Sequence, residues 1–415
     1  MKPLGPLMLL RPQGGHKRLL RAADGFYHGL HVPVTVVDHV ANFVLETDKP
    51  FIADPTTYFF VLRPERLCDA DKKAVRPWLL RLAKGFGAPF EVALGRRALV
   101  PADFPEKGNA TDDAVRRVLT HQKAKFLGQM NLPLEPYYAK YALYGDSAPA
   151  SSSPPPAGPA FLVPPYFPFR NVEDPWYDLD LRLAERALSV REKGERIAPV
   201  IHLDAVALED EAVVDRIVAD YRARAFDACL LWVNDLPEDA APAEHLRGLV
   251  RLVRGLSSGG RQVFKLYGGY FSMLLFAQGL TGFTCGLGQG AWKNAYAFGP
   301  GGGAPKPKFY VPALHRSMEL ANAERLLREH GSLRCPCKAC RDVYGSNIDR
   351  FAAMGEDGHC ESHFLYARQA EAKALLDRGV DSCLTALTTT AGKFGDNALV
   401  KVAALRTWRE VLAPT

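Results

Sequence analysis

Short apolar segments alternate with amphipathic segments through the second half of the chain. In chain order the pairs are AFLVPP with LDLRLAERALSVRE, APVIHLD with EDEAVVDRIVADYRAR, ACLLWVND with AEHLRGLVRLVRGL, and VFKLYGG with FSMLLFAQGL; GFTCGLG follows them. Apolar runs of this length are typical of buried strands, and the amphipathic runs are typical of helices that cover a sheet. Strands separated by single helices indicate parallel β/α units.

Further segments bring the number of predicted strands close to eight. LMLLRP and PFIADP lie in the first part of the chain, and KFYVPA follows the glycine-rich GPGGGAPKPK. We therefore predict an α/β fold, a (β/α)8 TIM-like barrel, with a doubly wound open sheet as the alternative. In either architecture the reacting groups are expected at the carboxyl ends of the strands.

One segment interrupts the alternation. Residues 147–160, SAPASSSPPPAGPA, cannot contribute to a packed core and are predicted to form an exposed loop. The predicted organisation has an N-terminal part of the barrel with a helical insertion over 1–146, this loop, and the remainder of the barrel over 161–314. A zinc-binding and helical region is predicted over 315–415.

Three of the eight cysteines fall within the six-residue motif CPCKAC. Cys335, Cys337 and Cys340 can supply three thiolates to one tetrahedral ion, and a later histidine can supply the fourth ligand. His363 is preferred over His359 or Cys360 because it is predicted to open the helix HFLYARQAEAKALL, which would hold a ligand rigidly. Four protein ligands leave no open position, so we predict a structural zinc ion.

The composition is that of an intracellular globular protein. Of the 415 residues, 47% are hydrophobic and 24% are charged, and no segment has the roughly 20 continuous apolar residues that a membrane helix needs. The first residues, MKPLGPLMLLRPQGG, lack the pattern of a secretory signal. Ungrouped cysteines are few for a chain of this length, which fits a reducing compartment, so a cytoplasmic location is expected.

A net charge of +6 and a pI near 8.8 are compatible with nucleic-acid binding. The basic groups are HKRLLR at 16–21, then Arg116, Arg117, Lys123 and Lys125, then Lys293, Lys306 and Lys308. The last three are the predicted phosphate contacts. For every group an ordinary solvated surface is the alternative interpretation.

Several chemically useful residues follow predicted strands. Asp54, Asp204 and Asp235 are expected on one rim, where paired carboxylates can divide a displacement at a sugar carbon into nucleophilic attack and proton transfer. Each aspartate could instead cap a loop or helix. Gly268 and Gly269 leave room for a flat base, and Tyr166 is a candidate wall of the same pocket, with core packing as its alternative.

The predicted barrel and the late Cys-x-Cys-x-x-Cys…His motif together resemble the tRNA-guanine transglycosylases, and most of all their paralogues that insert 7-deazaguanine bases into DNA. The resemblance covers residues 309–376 and extends to 50–60 and 197–290. It implies base exchange: an aspartate attacks the anomeric carbon, guanine leaves, and a 7-deazaguanine such as preQ0 takes its place. It also implies a homodimer or a partner subunit.

The chain departs from the pattern of that family at three places. Asp54, in FIADPTTYF, matches a family aspartate that helps the reaction, but Pro55, Thr56 and Thr57 replace the usual Ser-Gly-Gly. Thr284 stands where the nucleophile is expected. The base-recognising aspartate is also missing, because FLVPPYFPF is followed by no acid before Glu173.

Three hypotheses follow from the resemblance and its departures. The first is a glycosyltransferase that exchanges guanine in DNA, or less favourably in tRNA, with Asp54 and Asp235 as the reacting pair and Asp204 as the second choice of nucleophile. The second is a non-catalytic subunit that binds nucleic acid or a partner chain, which Thr284 supports. The third is a barrel hydrolase, which would release a base or sugar without an incoming 7-deazaguanine.

Overall fold

The computed structural model of the chain describes residues 5–47, 49–68, 74–94, 96–127, 158–288, 290–297, 306–395 and 399–413. Most of the predicted Ser/Pro-rich loop, 147–157, lies outside these residues, as does the glycine-rich part of the segment before KFYVPA. Among the helices within the described ranges, none is long and apolar enough to cross a membrane.

Seven parallel strands form the central sheet. They are β1 (Leu7–Leu10), β2 (Gly29–Pro33), β3 (Phe51–Asp54), β4 (Val200–Asp204), β5 (Ala228–Asn234), β6 (Gln262–Lys265) and β7 (Gly282–Cys285). Their order across the sheet is β3-β2-β1-β7-β6-β5-β4. The order is cyclic in the chain numbering, as expected of a sheet that curls round on itself.

A short eighth segment joins the two edges of this sheet. Phe161 forms a parallel bridge to Ile52 in β3, and Leu162 forms a parallel bridge to Ile197, which precedes β4. The backbone amides of Ala160 and Leu162 donate to the carbonyls of Phe51 and Arg196, at 2.7 and 2.8 Å. The predicted (β/α)8, TIM-like architecture is confirmed.

Helices cover the outside of the barrel. In chain order they are α1 (Lys17–Ala22), α2 (Val37–Glu46), α3 (Pro64–Leu67), α4 (Pro77–Phe86), α5 (Phe90–Ala93), α6 (Ala110–Leu127), α7 (Pro175–Val190), α8 (Glu211–Arg222), α9 (Ala243–Ser257) and α10 (Tyr270–Leu274). Two aspartates start helices as N-caps: Asp174 accepts from the Trp176 amide and Asp210 from the Ala212 amide. The predicted helices of the second half correspond to α7–α10.

One strand was missed in the sequence analysis, and one was assigned to the barrel wrongly. The segment GLHVP forms β2, which the sequence pattern did not reveal because it has no clean alternation and is followed by a short helical turn. KFYVPA does not complete the barrel: it contributes β8 (Lys308–Val311), which pairs antiparallel with β9 (Arg316–Glu319) in a separate two-stranded sheet. His315, in the left-handed conformation (φ 51°), belongs to the turn between them.

The C-terminal region is helical and surrounds this hairpin. It contains α11 (Leu320–Glu329), α12 (Lys338–Val343), α13 (His359–Lys393) and α14 (Ala403–Leu412). Helix α13 is interrupted at Gly379, where the backbone leaves the helical region (φ 75°). The indole of Trp408 in α14 donates to the carbonyl of Glu238 at 2.7 Å, so this region is anchored on the loops at the carboxyl end of the barrel.

Candidate active site and metal centre

The predicted metal ligands come together in space. The ligand atoms of Cys335, Cys337, Cys340 and His363 all lie within 4.8 Å of one another. Nδ1 of His363 is 3.3 Å from the sulfur of Cys337 and 3.3 Å from that of Cys340. These separations are close to the edge of roughly 3.5 Å expected for a tetrahedral zinc site with sulfur and nitrogen ligands. Neither His359 nor Cys360 belongs to the group.

The orientation of His363 also fits a metal ligand. Its Nε2 lies 2.6 Å from the carbonyl oxygen of Tyr310, so Nε2–H donates there and Nδ1 is left unprotonated toward the three sulfurs. The ring stacks on Phe309, with centroids 4.2 Å apart. His363 does not open its helix as predicted, because α13 begins one turn earlier, at His359. Three sulfurs and one imidazole nitrogen form a donor set that could hold a metal ion and that suits zinc.

A second polar group occupies the mouth of the barrel, at the carboxyl ends of the strands. Asp54 ends β3 and is 1% exposed. Its Oδ1 accepts hydrogen bonds from the Thr56 amide and the Tyr166 hydroxyl, both at 2.8 Å. Its Oδ2 lies 3.3 Å from Nε2 of His31, and has no hydrogen bond of good geometry among the described residues. The carboxylate is therefore held in place on one side and available on the other.

Buried histidines and aromatic rings surround this carboxylate. His202 in β4 pairs in register with Trp232 in β5, and the two rings stack with centroids 3.8 Å apart. Tyr58 and Tyr166 pack edge-on or tilted against these rings. Both ring nitrogens of His202 lack a well-formed hydrogen bond in the described part of the chain. Polar groups left open inside a barrel mouth are typical of a site that binds a ligand or water.

Burial and the local charges fix the protonation states at the mouth. Burial alone would raise the pKa of Asp54, but the neighbouring His31 ring and the hydrogen bonds from Thr56 and Tyr166 bring it below its usual value. Burial lowers the pKa of His31, and it lowers that of His202 well below its usual value. At neutral pH the mouth therefore contains an ionised carboxylate beside two neutral imidazoles.

Neither a scan against models of known protein families nor a search of the curated proteins gives a match for this chain. The chemical roles of the residues at the mouth therefore come from their own geometry.

The predicted carboxylates do not form one cluster. Asp204 accepts a hydrogen bond from the Asn234 amide at 2.9 Å, and burial raises its pKa. Asp235 is exposed, and its Oδ2 accepts from the Asn294 amide at 3.1 Å. Both lie on the rim above β4 and β5, whereas Asp54 is enclosed below. Among the described residues, no contact joins the side chains of Asp54 and Asp235. Their interpretation as a reacting pair therefore stays a prediction.

The residue at the expected nucleophile position has a structural contact. Thr284 in β7 is fully buried, and its hydroxyl oxygen accepts the Tyr267 amide at 3.0 Å. Tyr267 adopts a left-handed conformation (φ 58°), as do Thr56 after β3 and Asp235 after β5, both with φ 54°. Unfavourable backbone conformations at three strand ends mark this rim as a constrained site.

The two glycines predicted to admit a base lie in different surroundings. A Cβ atom on Gly268 would meet the side chains of Ser272 and Phe283 within 3.0 Å, so the lack of a side chain there serves internal packing. Gly269 borders a cleft of about 270 Å³ between the barrel and the C-terminal region. Tyr166 is a wall of the Asp54 site and does not reach this cleft.

This cleft is the open part of the carboxyl face. Its lining includes Gly269, Gly286, Trp292, Lys308, Arg316 and Arg368. Its volume is slightly below the roughly 300–1,000 Å³ of typical small-molecule sites, so it suits a small ligand. Trp292 and Tyr296 expose 47% and 37% of their surface on the adjoining rim, which provides aromatic faces for stacking.

The predicted phosphate-binding lysines are also separated. Lys308 is exposed and borders the cleft, and Lys306 is exposed two residues earlier. The ammonium group of Lys293 points instead into the barrel mouth, among aromatic rings. In the earlier basic group, Lys123 is paired with Glu192 at 2.9 Å and with Glu195 at 2.5 Å, and the side chain of Lys125 lies outside the described residues.

Sequence reasoning missed several residues of the mouth. His31 and His202 are polar residues inside otherwise apolar strands, LHV and IHL, and that contrast is the signal that could have identified them. Arg11 follows β1, and its guanidinium lies 4.4 Å from the centre of the Tyr267 ring. Nothing in the local sequence of Arg11 distinguishes it from a surface arginine.

Proposed function

We propose that the chain is a base-exchange glycosyltransferase that acts on nucleic acid, replacing guanine with a 7-deazaguanine such as preQ0. DNA is the favoured substrate and tRNA the alternative. The observation that carries the proposal is the enclosed Asp54 carboxylate at the mouth of a barrel whose carboxyl face is flanked by a Cys3His metal group. The family resemblance of the sequence supplies the reaction, and the geometry supplies a site in which it could occur.

The mouth offers the proton chemistry that exchange needs. A departing guanine must gain a proton, and an incoming 7-deazaguanine must lose one. The Oδ2 atom of Asp54 is free to take part in these transfers because the hydrogen bonds from Thr56 and Tyr166 engage only Oδ1. In a water-poor site a positioned carboxylate acts efficiently as acid and base.

The rim offers a surface for a nucleic acid. Trp292 and Tyr296 can stack with bases, and Lys308 supplies a positive charge beside them. A guanine within a duplex would have to be flipped out of the helix, at a cost of a few kcal/mol. The cleft beside Gly269 is where the flipped base would enter.

Radiolabelled preQ0 incubated with the protein and either plasmid DNA or bulk tRNA tests the proposal. Wild type should transfer label into one nucleic acid, with DNA favoured, and Asp54→Ala should reduce transfer by at least 100-fold, since general acid–base catalysis contributes about 10²–10⁴-fold. Lys123→Ala, remote from the mouth, should transfer normally. Absence of label from both nucleic acids with zinc-loaded wild type would contradict the proposal.

A second function is a non-catalytic subunit, and Thr284 is the observation that favours it. A buried threonine whose hydroxyl accepts the Tyr267 amide cannot replace a carboxylate nucleophile. Such a subunit would bind DNA or RNA through the same rim without transferring label. Binding measured by fluorescence anisotropy, together with no transfer, would select this function.

A further inference from the structure

The side chain of Lys293 lies inside an aromatic cage at the mouth of the barrel. Its Nζ is 4.8 Å from the ring centre of Tyr58, 5.0 Å from that of Trp232, 5.3 Å from that of Tyr267 and 5.7 Å from that of Phe59. It also donates hydrogen bonds to the Tyr58 and Tyr267 hydroxyls, the latter at 3.3 Å. No carboxylate within the described residues forms an ion pair with it at 4.0 Å or less.

The end of β5 determines this position. The Asp235 amide donates to the Lys293 carbonyl at 3.0 Å, and the Ala295 amide donates to Oδ1 of Asn234 at 2.6 Å. Oδ2 of Asp235 accepts from the Asn294 side chain. Asn234 and Asp235, the second of which was a candidate from the sequence, therefore fix the segment that carries Lys293 and act as positioning residues.

The surroundings make the amine a nucleophile. Burial and the charge of Arg11 lower the pKa of Lys293 to about 7, against the opposing effect of the Asp54 carboxylate. His31 and His202 face the same space and are uncharged at neutral pH. A desolvated lysine beside another cation is a known route to an uncharged, reactive amine.

We propose that Nζ of Lys293 is the nucleophile of the exchange reaction, at a mouth where Thr284 provides none. The assignment rests on the proposed function. Trp292, the residue before Lys293, lines the cleft, and the flexible four-carbon stem of Lys293 would let its amine turn toward a sugar bound there. Asp54 is the only described carboxylate whose charge acts on this amine, and it is the proton carrier.

The exchange on Lys293 consists of two displacements at C1′. The lone pair of the neutral amine forms an Nζ–C1′ bond while the C1′–N9 bond to guanine breaks, and its electron pair leaves with N9. Asp54 accepts the proton lost from Nζ and passes it to N9. In the second half, N9 of the incoming 7-deazaguanine attacks C1′ and loses its proton to Asp54. The Nζ–C1′ bond breaks, and Nζ leaves as a neutral amine after regaining that proton.

Borohydride trapping tests the assignment. The glycosylamine on Nζ can open to an imine when its N–H proton moves to O4′, and borohydride reduces that imine to a stable amine. Wild type is incubated with plasmid DNA or tRNA, whichever accepts labelled preQ0, then reduced, digested with nuclease and protease, and mapped by mass spectrometry. We expect a sugar remnant on the peptide that contains Lys293.

Three variants distinguish a nucleophilic role of Lys293 from a structural one. Lys293→Met, which fills the cage with an apolar chain, and Lys293→Arg, which keeps a cation, should both lose the adduct and at least 1,000-fold in exchange. Lys123→Met, remote from the mouth and paired with Glu192 and Glu195, should keep the adduct. Exchange retained by a folded Lys293→Met protein would overturn this assignment and leave the proposed function standing. No exchange by wild type would overturn both.

Discussion

Two buried lysines on neighbouring elements of the barrel show how different surroundings give one side chain different roles. Lys265, in β6, has its Nζ 3.0 Å from the Glu238 carboxylate and 2.9 Å from the Tyr267 carbonyl. Glu238 in turn accepts the backbone amides of Gly269 and Ser272 at 2.9 and 3.2 Å. The Nζ atom of Lys293 instead contacts phenol hydroxyls and ring faces, and no carboxylate of the described residues pairs with it.

The difference separates a structural charge from a reactive one. A buried ion pair whose remaining hydrogen-bonding atoms are satisfied keeps both charges in place and helps to fix the fold. A buried lysine without a carboxylate partner loses its proton more easily, because burial disfavours the charged form and lowers the pKa. The Lys265 pair also ties the loop after β5 to the loop after β6, which places the strained Tyr267 turn next to the cage of Lys293.

Removing the metal should have the largest effect on stability. It should not change the difference in surroundings between Lys265 and Lys293. Binding free energies of about 10–16 kcal/mol in zinc-finger peptides set the upper bound. We expect one zinc per chain by elemental analysis, and loss of the folded state of the region around 308–395 on chelation, seen by limited proteolysis. Cys340→Ser should lose the metal and Cys360→Ser should keep it. A zinc-free protein with an unchanged melting temperature would contradict the metal assignment.

Breaking the ion pair between Lys265 and Glu238 should have the next largest effect on stability. Lys265→Met leaves the Glu238 carboxylate buried without its cation, which costs about 3–5 kcal/mol in the free energy of unfolding. Urea denaturation followed by fluorescence measures it. The double variant Lys265→Met, Glu238→Leu should recover part of the loss, because it removes the uncompensated charge. If Lys265→Met alone is as stable as wild type, the ion pair does not stabilise the fold.

Removing a hydrogen bond that holds residues 293–295 to the end of β5 should have an intermediate effect on stability. Asn234→Ala removes the acceptor of the buried Ala295 amide, and an unsatisfied buried amide costs about 1–3 kcal/mol. Exchange should fall with it, because Lys293 is no longer positioned. Asn294→Ala, which removes two exposed hydrogen bonds, one to Asp235 and one from the Tyr296 amide, is the comparison variant. Equal losses of exchange in the two variants would argue against positioning by Asn234.

Lys293→Met should have the smallest effect on stability, about 1 kcal/mol or less at neutral pH, because an apolar side chain suits the cage. The pH dependence is more informative. Between the folded pKa of about 7 and the ordinary 10.5, the unfolded chain binds a proton that the folded chain does not.

The stability of wild type should therefore rise with pH across this window relative to Lys293→Met, by at most about 1.4 kcal/mol per pH unit. Below pH 7 the difference should be constant. Parallel urea denaturation curves at several pH values check this. A difference that is independent of pH from 7 to 10 would show that Lys293 is charged in its cage.

Features carried by neighbouring residues could be predicted from the sequence. CPCKAC and His363 identify the metal group because three of its ligands are adjacent in the chain. The strands from β4 to β7 are long apolar runs between amphipathic helices, so the β/α repeat was visible. β2 was missed, and β8 was assigned to the barrel, because a short apolar segment does not specify its pairing partner.

The barrel mouth could be predicted only in part. Asp54 followed from its position after a strand, but its neighbours come from β2, from β4 and from segments around positions 166 and 293. Lys293 lay in a basic group of the sequence and was assigned to phosphate binding. Its inward direction depends on hydrogen bonds to the end of β5, which no local pattern reveals.

The pKa of the Lys293 amine is the most direct test of this account. Competitive acetylation at a series of pH values, followed by mass spectrometry of the tryptic peptides, reports the reactivity of Lys293 beside exposed Lys308 and buried Lys265 in one sample. Reactivity of Lys293 that rises with a midpoint near pH 7, with Lys265 unlabelled in the folded protein, is the predicted result. A midpoint for Lys293 near the ordinary value of 10.5 would contradict the account, because the amine would then be a charged structural contact.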